Sequence, residues 1–306
     1  MAPGCAGVPP ASPSTRRGAA GGGLAGEALE GLVAGAQAAA TFDLLERAAG
    51  TGAYERAVLV TEDEEVVRSV ATLGDTLPIG LVNDSEEAPF HFGRRLARVV
   101  ESEQLERVVY VGGGALPLAS EETLERLARA VSGEGPCVYT NNLFSADIAA
   151  FYPASALARI EPPKVDNDLA WLLHYKAGLP YAAAPRSVET SFDIDTPTDV
   201  AVLRQVATGA PLGDLVGRHL SAYLEDIGEQ IPELAAVVER ASAVMATRRS
   251  QVLFAGRLPA LTWRKLELNL PSQTRVISEE RGMRASGREA RGEARSVLGL
   301  YADLAG

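Results

Sequence analysis

Cysteine, histidine and basic charge are all scarce in this chain. Two cysteines, Cys5 and Cys137, exclude a disulfide framework and a four-cysteine metal site. Three histidines are thin for a zinc enzyme. Lysine and arginine total 29 against 40 aspartates and glutamates, for a net charge of −11. That balance lacks the basic footprint of nucleic-acid binding, so no nucleic-acid partner is expected. No run approaches the roughly 18 apolar residues of a membrane-spanning helix. The start, "MAPGCAGVPPASPSTRRGAAGGG", lacks the basic opening and continuous apolar stretch of a secretory signal. The expectation is a cytoplasmic protein with no membrane partner.

What is present is an ordinary globular composition, 46 % hydrophobic, enough for the core of one large α/β domain and a smaller one. Residues 1–26 are rich in proline, glycine, alanine and serine and read as a flexible N-terminal segment that packs little against the rest. Helix is expected over 26–49. "RAVLVT" (56–61) is a continuously apolar strand suited to burial on both faces. A helix at 62–73, a strand at 78–83, a helix at 92–102, a strand at 107–112, a helix at 120–132 capped by Ser120 and a strand at 136–142 follow. Strand and helix alternating at short spacing predict a three-layer α/β/α fold with a mainly parallel sheet, of Rossmann-like type. Ligands of such sheets bind beyond the carboxyl ends of the strands.

The α/β domain is expected to span 27–210. Residues 211–306 read as a helical linker interrupted near Pro232 and a small α/β appendage, with strands at 251–256 and 274–278 and a helix around Trp263. The chain closes on an arginine-rich stretch in which Arg281, Arg284, Arg288, Arg291 and Arg295 recur every three or four residues. If helical, they share one face. Glu289 and Glu293 are placed to neutralise them, and a phosphorylated ligand is the alternative partner.

Two segments carry the chemistry. "SFDIDTPTDVAVL" (191–203) contains a helix start: Thr196 as cap, Pro197 in the first turn and Asp199 at the positive helix end. Capping leaves Asp193 and Asp195 unused, two residues apart and so on one face of an extended segment. Grouped carboxylates are hard oxygen ligands suited to Mg²⁺, which is held by one or two carboxylates together with substrate phosphates. "VVYVGGGALPLAS" (108–120) runs a strand into Gly112, Gly113 and Gly114, where a ligand or a tight turn must come close to the backbone.

In this order the two segments resemble signatures of nucleotidyltransferases of the glycosyltransferase-A type, molybdenum-cofactor guanylyltransferase-like proteins being nearest. "DIDTPTDV" is similar to that family's Asp-x-Asp-Thr-Pro-x-Asp signature, and "VGGGALPL" to its central strand followed by Gly-Asp-x-Pro-Leu. "FGRRL" (92–96) resembles the glycine-entered helix of the nucleotide half, which brings in Gly93. The resemblance covers about residues 50–205. It implies a nucleoside triphosphate or sugar nucleotide as partner, Mg²⁺ held by Asp195 with Asp193 in support, and Gly112, Gly113, Gly114, Gly93, Asn141 and Asn142 around the nucleotide.

This chain departs from that pattern at two places. Ala115 stands where the family's central strand ends on a metal-binding Asp. The only Gly-rich, Arg-containing stretch near the start is "TRRGAAGGG" (15–23), with no evident apolar strand before it. Arg16 and Arg17 belong either to a phosphate loop or to a basic tail. Asp166, Asn167 and Asp168 are either a helix cap or a displaced acidic cluster, and Asn141 and Asn142 either read a base or form a polar turn. His91 reads as packing, and His174 and His219 have no expected role. The function expected is Mg²⁺-dependent nucleotidyl transfer to a phosphate or hydroxyl acceptor, with an inactive nucleotide-binding protein of the same fold as the alternative. No side chain is identified as a catalytic acid or base, and restoring Asp at 115 is expected to strengthen metal binding.

Overall fold

The structure, a computed structural model, describes residues 4–8, 23–70, 77–83, 90–209, 212–227, 231–256, 258–278, 287–288 and 290–293. The chain separates into two compact units, Met1–Gln230 and Ile231–Gly306.

The first unit is built on a seven-stranded sheet in the order β3-β2-β1-β4-β6-β5-β7. Its strands are β1 (Gly4–Val8), β2 (Ala57–Thr61), β3 (Ile79–Asn83), β4 (Val108–Gly112), β5 (Cys137–Thr140), β6 (Ile148–Tyr152) and β7 (Tyr181–Ala183). Only β6 runs antiparallel to its neighbours. The sheet is therefore mainly parallel, as its alternation with helices predicts.

The central strand explains the layering. All five residues of β4 are buried. Val108 and Tyr110 face one way, into a core with Phe92 and Leu96 of α3 (Phe92–Ser102) and Leu169 and Leu173 of α5 (Leu169–Tyr175). Val109 and Val111 face the other way, toward Leu45 of α1 (Gly23–Thr51) and Leu124 and Leu127 of α4 (Glu121–Val131). A strand apolar on both alternating faces needs cover on both sides, and the helices supply it as an α/β/α sandwich.

Two sequence expectations are corrected here. Residues 4–8 belong not to a loosely attached tail but to β1, paired in parallel with both β2 and β4. "GCAGV" has little strand propensity of its own, but a central parallel strand takes its hydrogen bonds from the neighbours on each side. The strand thought missing before "TRRGAAGGG" is therefore present; Arg16 and Arg17 lie outside the described residues. The second correction concerns the boundary expected at 210. Helix α8 (Arg218–Asp226) belongs to the first unit, where Leu220 and Leu224 are buried and Tyr223 Oη donates to Leu32 O of α1 at 2.9 Å. The units separate about twenty residues later.

The second unit contains α9 (Pro232–Ala246), β8 (Gln251–Gly256), α10 (Ala260–Asn269) and β9 (Gln273–Ser278), the two strands pairing in parallel. Pro232 opens α9 at its first turn, where its missing N–H costs nothing. Neither helix buries a residue fully. The described part of the arginine-rich stretch, around 287–293, forms turns rather than helix, and Arg291 pairs with Glu293 at 2.8 Å. Arg281, Arg284 and Arg295 lie outside the described residues. Among the described helices none is long and apolar enough to cross a membrane.

Candidate functional site

In the sheet order, β1 is joined through α1 to β2 on one side, while β4 lies on its other side. The strand order reverses between β1 and β4, and in open α/β sheets the crevice beyond the carboxyl ends at such a reversal is where ligands sit. Gly112, Gly113 and Gly114 leave β4 at that edge. Gly114 has a φ of +78°, and a Cβ there would stand 2.7 Å from the Ile194 carbonyl oxygen, so this position must be glycine.

The glycine turn receives the aspartate segment directly. Ile194 N donates to Gly114 O at 3.0 Å, and Ala115 and Asp193 form an isolated antiparallel bridge. Behind it, α7 (Pro197–Ala207) starts in a reciprocal cap. Thr196 Oγ1 accepts from Asp199 N, and Asp199 Oδ2 accepts from Thr196 N at 2.7 Å and from Asp195 N at 3.1 Å. The cap uses the side chains of Thr196 and Asp199 and does not engage the carboxylates of Asp193 and Asp195.

Two more aspartates approach from other elements. Gly112 N donates to Asp147 O at 2.8 Å, just before β6, and Asp147 Oδ2 accepts from Asn141 Nδ2 at 3.1 Å. Asp166 Oδ2 accepts from the buried Tyr110 hydroxyl at 3.1 Å and lies 3.2 Å from where a Cβ on Gly112 would be. Gly112, Asn141 and the Asp193–Asp195 segment thus share one edge of the sheet.

The electrostatics follow from this crowding. Burial, then the charges of Asp195, Asp147 and Asp199, push the Asp193 carboxyl up to about 7. Asp195 is raised by desolvation of its carboxyl group and by Asp199, and Asp166 by its burial against the pull of Asn167 and Tyr110. The buried Tyr110 hydroxyl is raised by desolvation and by Asp166. No described lysine or arginine is among the groups that set Asp193, Asp195 or Asp166. A cluster of this kind is stabilised by a cation, and an all-oxygen donor set suits Mg²⁺ or Mn²⁺.

Several expected residues also make internal contacts. Gly93 N donates to Pro163 O at 2.8 Å, and a side chain at 93 would collide with the Pro163 backbone. Gly93 thus packs α3 closely against the loop before α5. Asn142 makes a turn, its Oδ1 accepting from Phe144 N at 3.2 Å. Asn141 is committed to Asp147. His91 caps α3, its Nδ1 accepting from Arg94 N at 3.5 Å. Ala115, buried at 7 % exposure, joins the apolar cluster of Leu116, Ala119 and Leu124 and is the bridge partner of Asp193.

Asp43, Glu46 and His219 bring their ligand atoms within 4.8 Å of one another, the one group of three to do so among the described residues. Both carboxylates already have donors, and His219 Nε2 lies 3.2 Å from Glu46 Oε1. Asp43 accepts from His219 N and Leu220 N, both at 2.9 Å, and so caps α8 in place of a side chain at Gly217. Glu46 is held in a fork by Arg218 Nε and Nη2, which keeps its carboxyl below the usual range. This is a clamp between α1 and α8. Sequence reasoning missed it because Asp43 and His219 are far apart in the chain.

No family profile matches the sequence, and no curated protein matches it. Solved structures similar to the chain include a protein of Desulfovibrio desulfuricans G20 provisionally named a nucleotide-diphospho-sugar transferase (14 % identity, TM-score 0.48, covering 76 % of this chain and 99 % of that one). Another is CMP:2-keto-3-deoxy-manno-octonic acid synthetase complexed with CTP (15 %, TM-score 0.40, 67 % and 98 %). A third is the mannosyltransferase PcManGT of Pyrobaculum calidifontis with GDP-Man and Mn²⁺ (13 %, TM-score 0.39, 87 % and 84 %). None of the three is named as a molybdenum-cofactor guanylyltransferase.

Proposed function

We propose that the carboxyl edge around β4 binds a nucleoside triphosphate or sugar nucleotide together with a divalent cation, and that the chemistry it supports is nucleotidyl transfer. The observation that carries this reading is the bridge joining Asp193–Asp195 to the Gly112–Ala115 turn, with Asp166 drawn to the same place. Asp195 and Asp193 would hold the cation, and Asp166, fixed by Tyr110, takes over from the carboxylate that Ala115 lacks. When bound, the cation neutralises phosphate charge. The glycine turn lets phosphates approach the backbone closely, and Tyr110 keeps the Asp166 carboxylate aimed across Gly112. In the reaction an acceptor oxygen would bond to the α-phosphorus as the bond to pyrophosphate breaks, a step served mainly by positioning and charge neutralisation.

A thermal-shift screen of nucleoside triphosphates and sugar nucleotides, with and without Mg²⁺, tests this. Stabilisation by at least one nucleotide, present only with the metal, is expected. The second reading, an inactive binding protein of the same fold, is favoured by Ala115 being packed into the apolar core. It predicts the same shift without pyrophosphate release.

A further inference from the structure

Gln37 lies on α1, far in sequence from the aspartates. Its side chain nevertheless reaches the Ile194 carbonyl, Nε2 to O at 2.6 Å. A carbonyl oxygen can only accept, so chemistry fixes which end of the amide faces it. The Ile194 N–H is already given to Gly114 O, so both backbone polar groups of this fully buried residue are tied. The same side chain packs against Gly114, its Nε2 3.0 Å and its Cγ 3.1 Å from where a Cβ would begin. One glutamine therefore touches both sides of the turn that carries the candidate site.

The bridge needs such a pin. Ala115 and Asp193 form an isolated pair rather than a ladder, so neighbouring rungs do not fix the direction of the segment. In an extended segment residues 193 and 195 face one side and residue 194 the other. Holding Ile194 by its N–H and its carbonyl aims both carboxylates without touching either. We propose that Gln37 is the positioning residue of the metal-binding segment, setting the direction of Asp193 and Asp195 through the Ile194 backbone. This rests on reading those aspartates as metal carboxylates.

The test is Mn²⁺ titration, followed by electron paramagnetic resonance, on the full-length native protein, Gln37→Met and Asp195→Ala, each also melted thermally. Methionine keeps the length of the side chain and removes the donor. The expected result is a loss of Mn²⁺ affinity of about tenfold or more in Gln37→Met, the range for partners that orient metal ligands. Its melting temperature should move by only about 2–4 °C. If Gln37→Met does not fold, Gln37→Asn, one methylene short of the carbonyl, carries the same test. Mn²⁺ affinity unchanged in the glutamine variant but lost in Asp195→Ala would overturn the role of Gln37 alone. A native protein that binds no Mn²⁺, or whose binding ignores Asp195→Ala, would overturn the reading of the site and this inference with it.

Discussion

Asp193 is the residue whose surroundings make the sharpest prediction. Burial and then the neighbouring carboxylates push its carboxyl up to about 7 in the folded protein, from an ordinary value of 3.8. Between those values the folded form keeps a proton that the unfolded chain has released. The contribution of this group to stability therefore falls as pH rises from about 4 to 7 and is at its most unfavourable above that. Without metal, Asp193→Asn should remove this pH dependence, and urea denaturation of both proteins at pH 5 and pH 8 measures it. A divalent cation should stabilise the native protein more at pH 8 than at pH 5. At Gly114 the left-handed backbone and the close Ile194 carbonyl leave no room for a methyl group, so Gly114→Ala should cost about 2 kcal/mol in denaturant unfolding. Ala115→Asp should lower the metal-free melting temperature, because it places a carboxyl group among buried apolar side chains and beside Asp193. An unchanged melting temperature would mean that Ala115 faces the crevice.

Some elements in this fold are fastened by carboxylates in addition to apolar packing. Glu189, on α6 (Val188–Ser191), accepts from Ser120 N at 2.8 Å and from the hydroxyls of Ser120 and Thr123 at 2.6 Å each, at the start of α4. Although burial opposes it, these hydrogen bonds hold the Glu189 carboxyl below its usual range. The stability it contributes is present above its unfolded value and fades as pH falls through the folded one. Glu189→Ala should cost about 2 kcal/mol, read by urea denaturation at neutral pH. Strands with continuous apolar runs were legible in the sequence because their burial is written in the residues themselves, as in β2 and β4. Caps at Ser120 and Thr196 were legible for the same local reason. β1 was not, since its place depends on partners more than fifty residues away. Nor was the antiparallel β6, whose direction no residue pattern encodes.

At the scale of the molecule, the first unit contains the sheet, both apolar cores and the candidate site. A chain ending after Gln230 should therefore melt cooperatively and keep any metal-dependent nucleotide binding, which calorimetry of the shortened protein checks. The second unit exposes Leu253 and Leu268 at 61 % and 71 % and should lose amide protection first in hydrogen exchange. The sequence located the aspartate segment and the glycine turn and offered Asp166 as a cap or a displaced acidic residue, but it did not single out Asp147, Tyr110 or Gln37. Asp147, Asp166, Tyr110 and Gln37 come from four separate parts of the chain, and only the fold brings them together. Gly93, motif-like in the sequence, shows in the fold a close contact with Pro163 that the sequence did not reveal.

The most direct measurement is an anomalous-difference map from crystals soaked with Mn²⁺ and a nucleoside triphosphate. The expected result is a peak among Asp195, Asp193 and Asp166, beside the Gly112–Ala115 turn, with phosphate density next to it. A peak at Asp43, Glu46 and His219 instead, or nucleotide bound away from the carboxyl edge of β4, would contradict it.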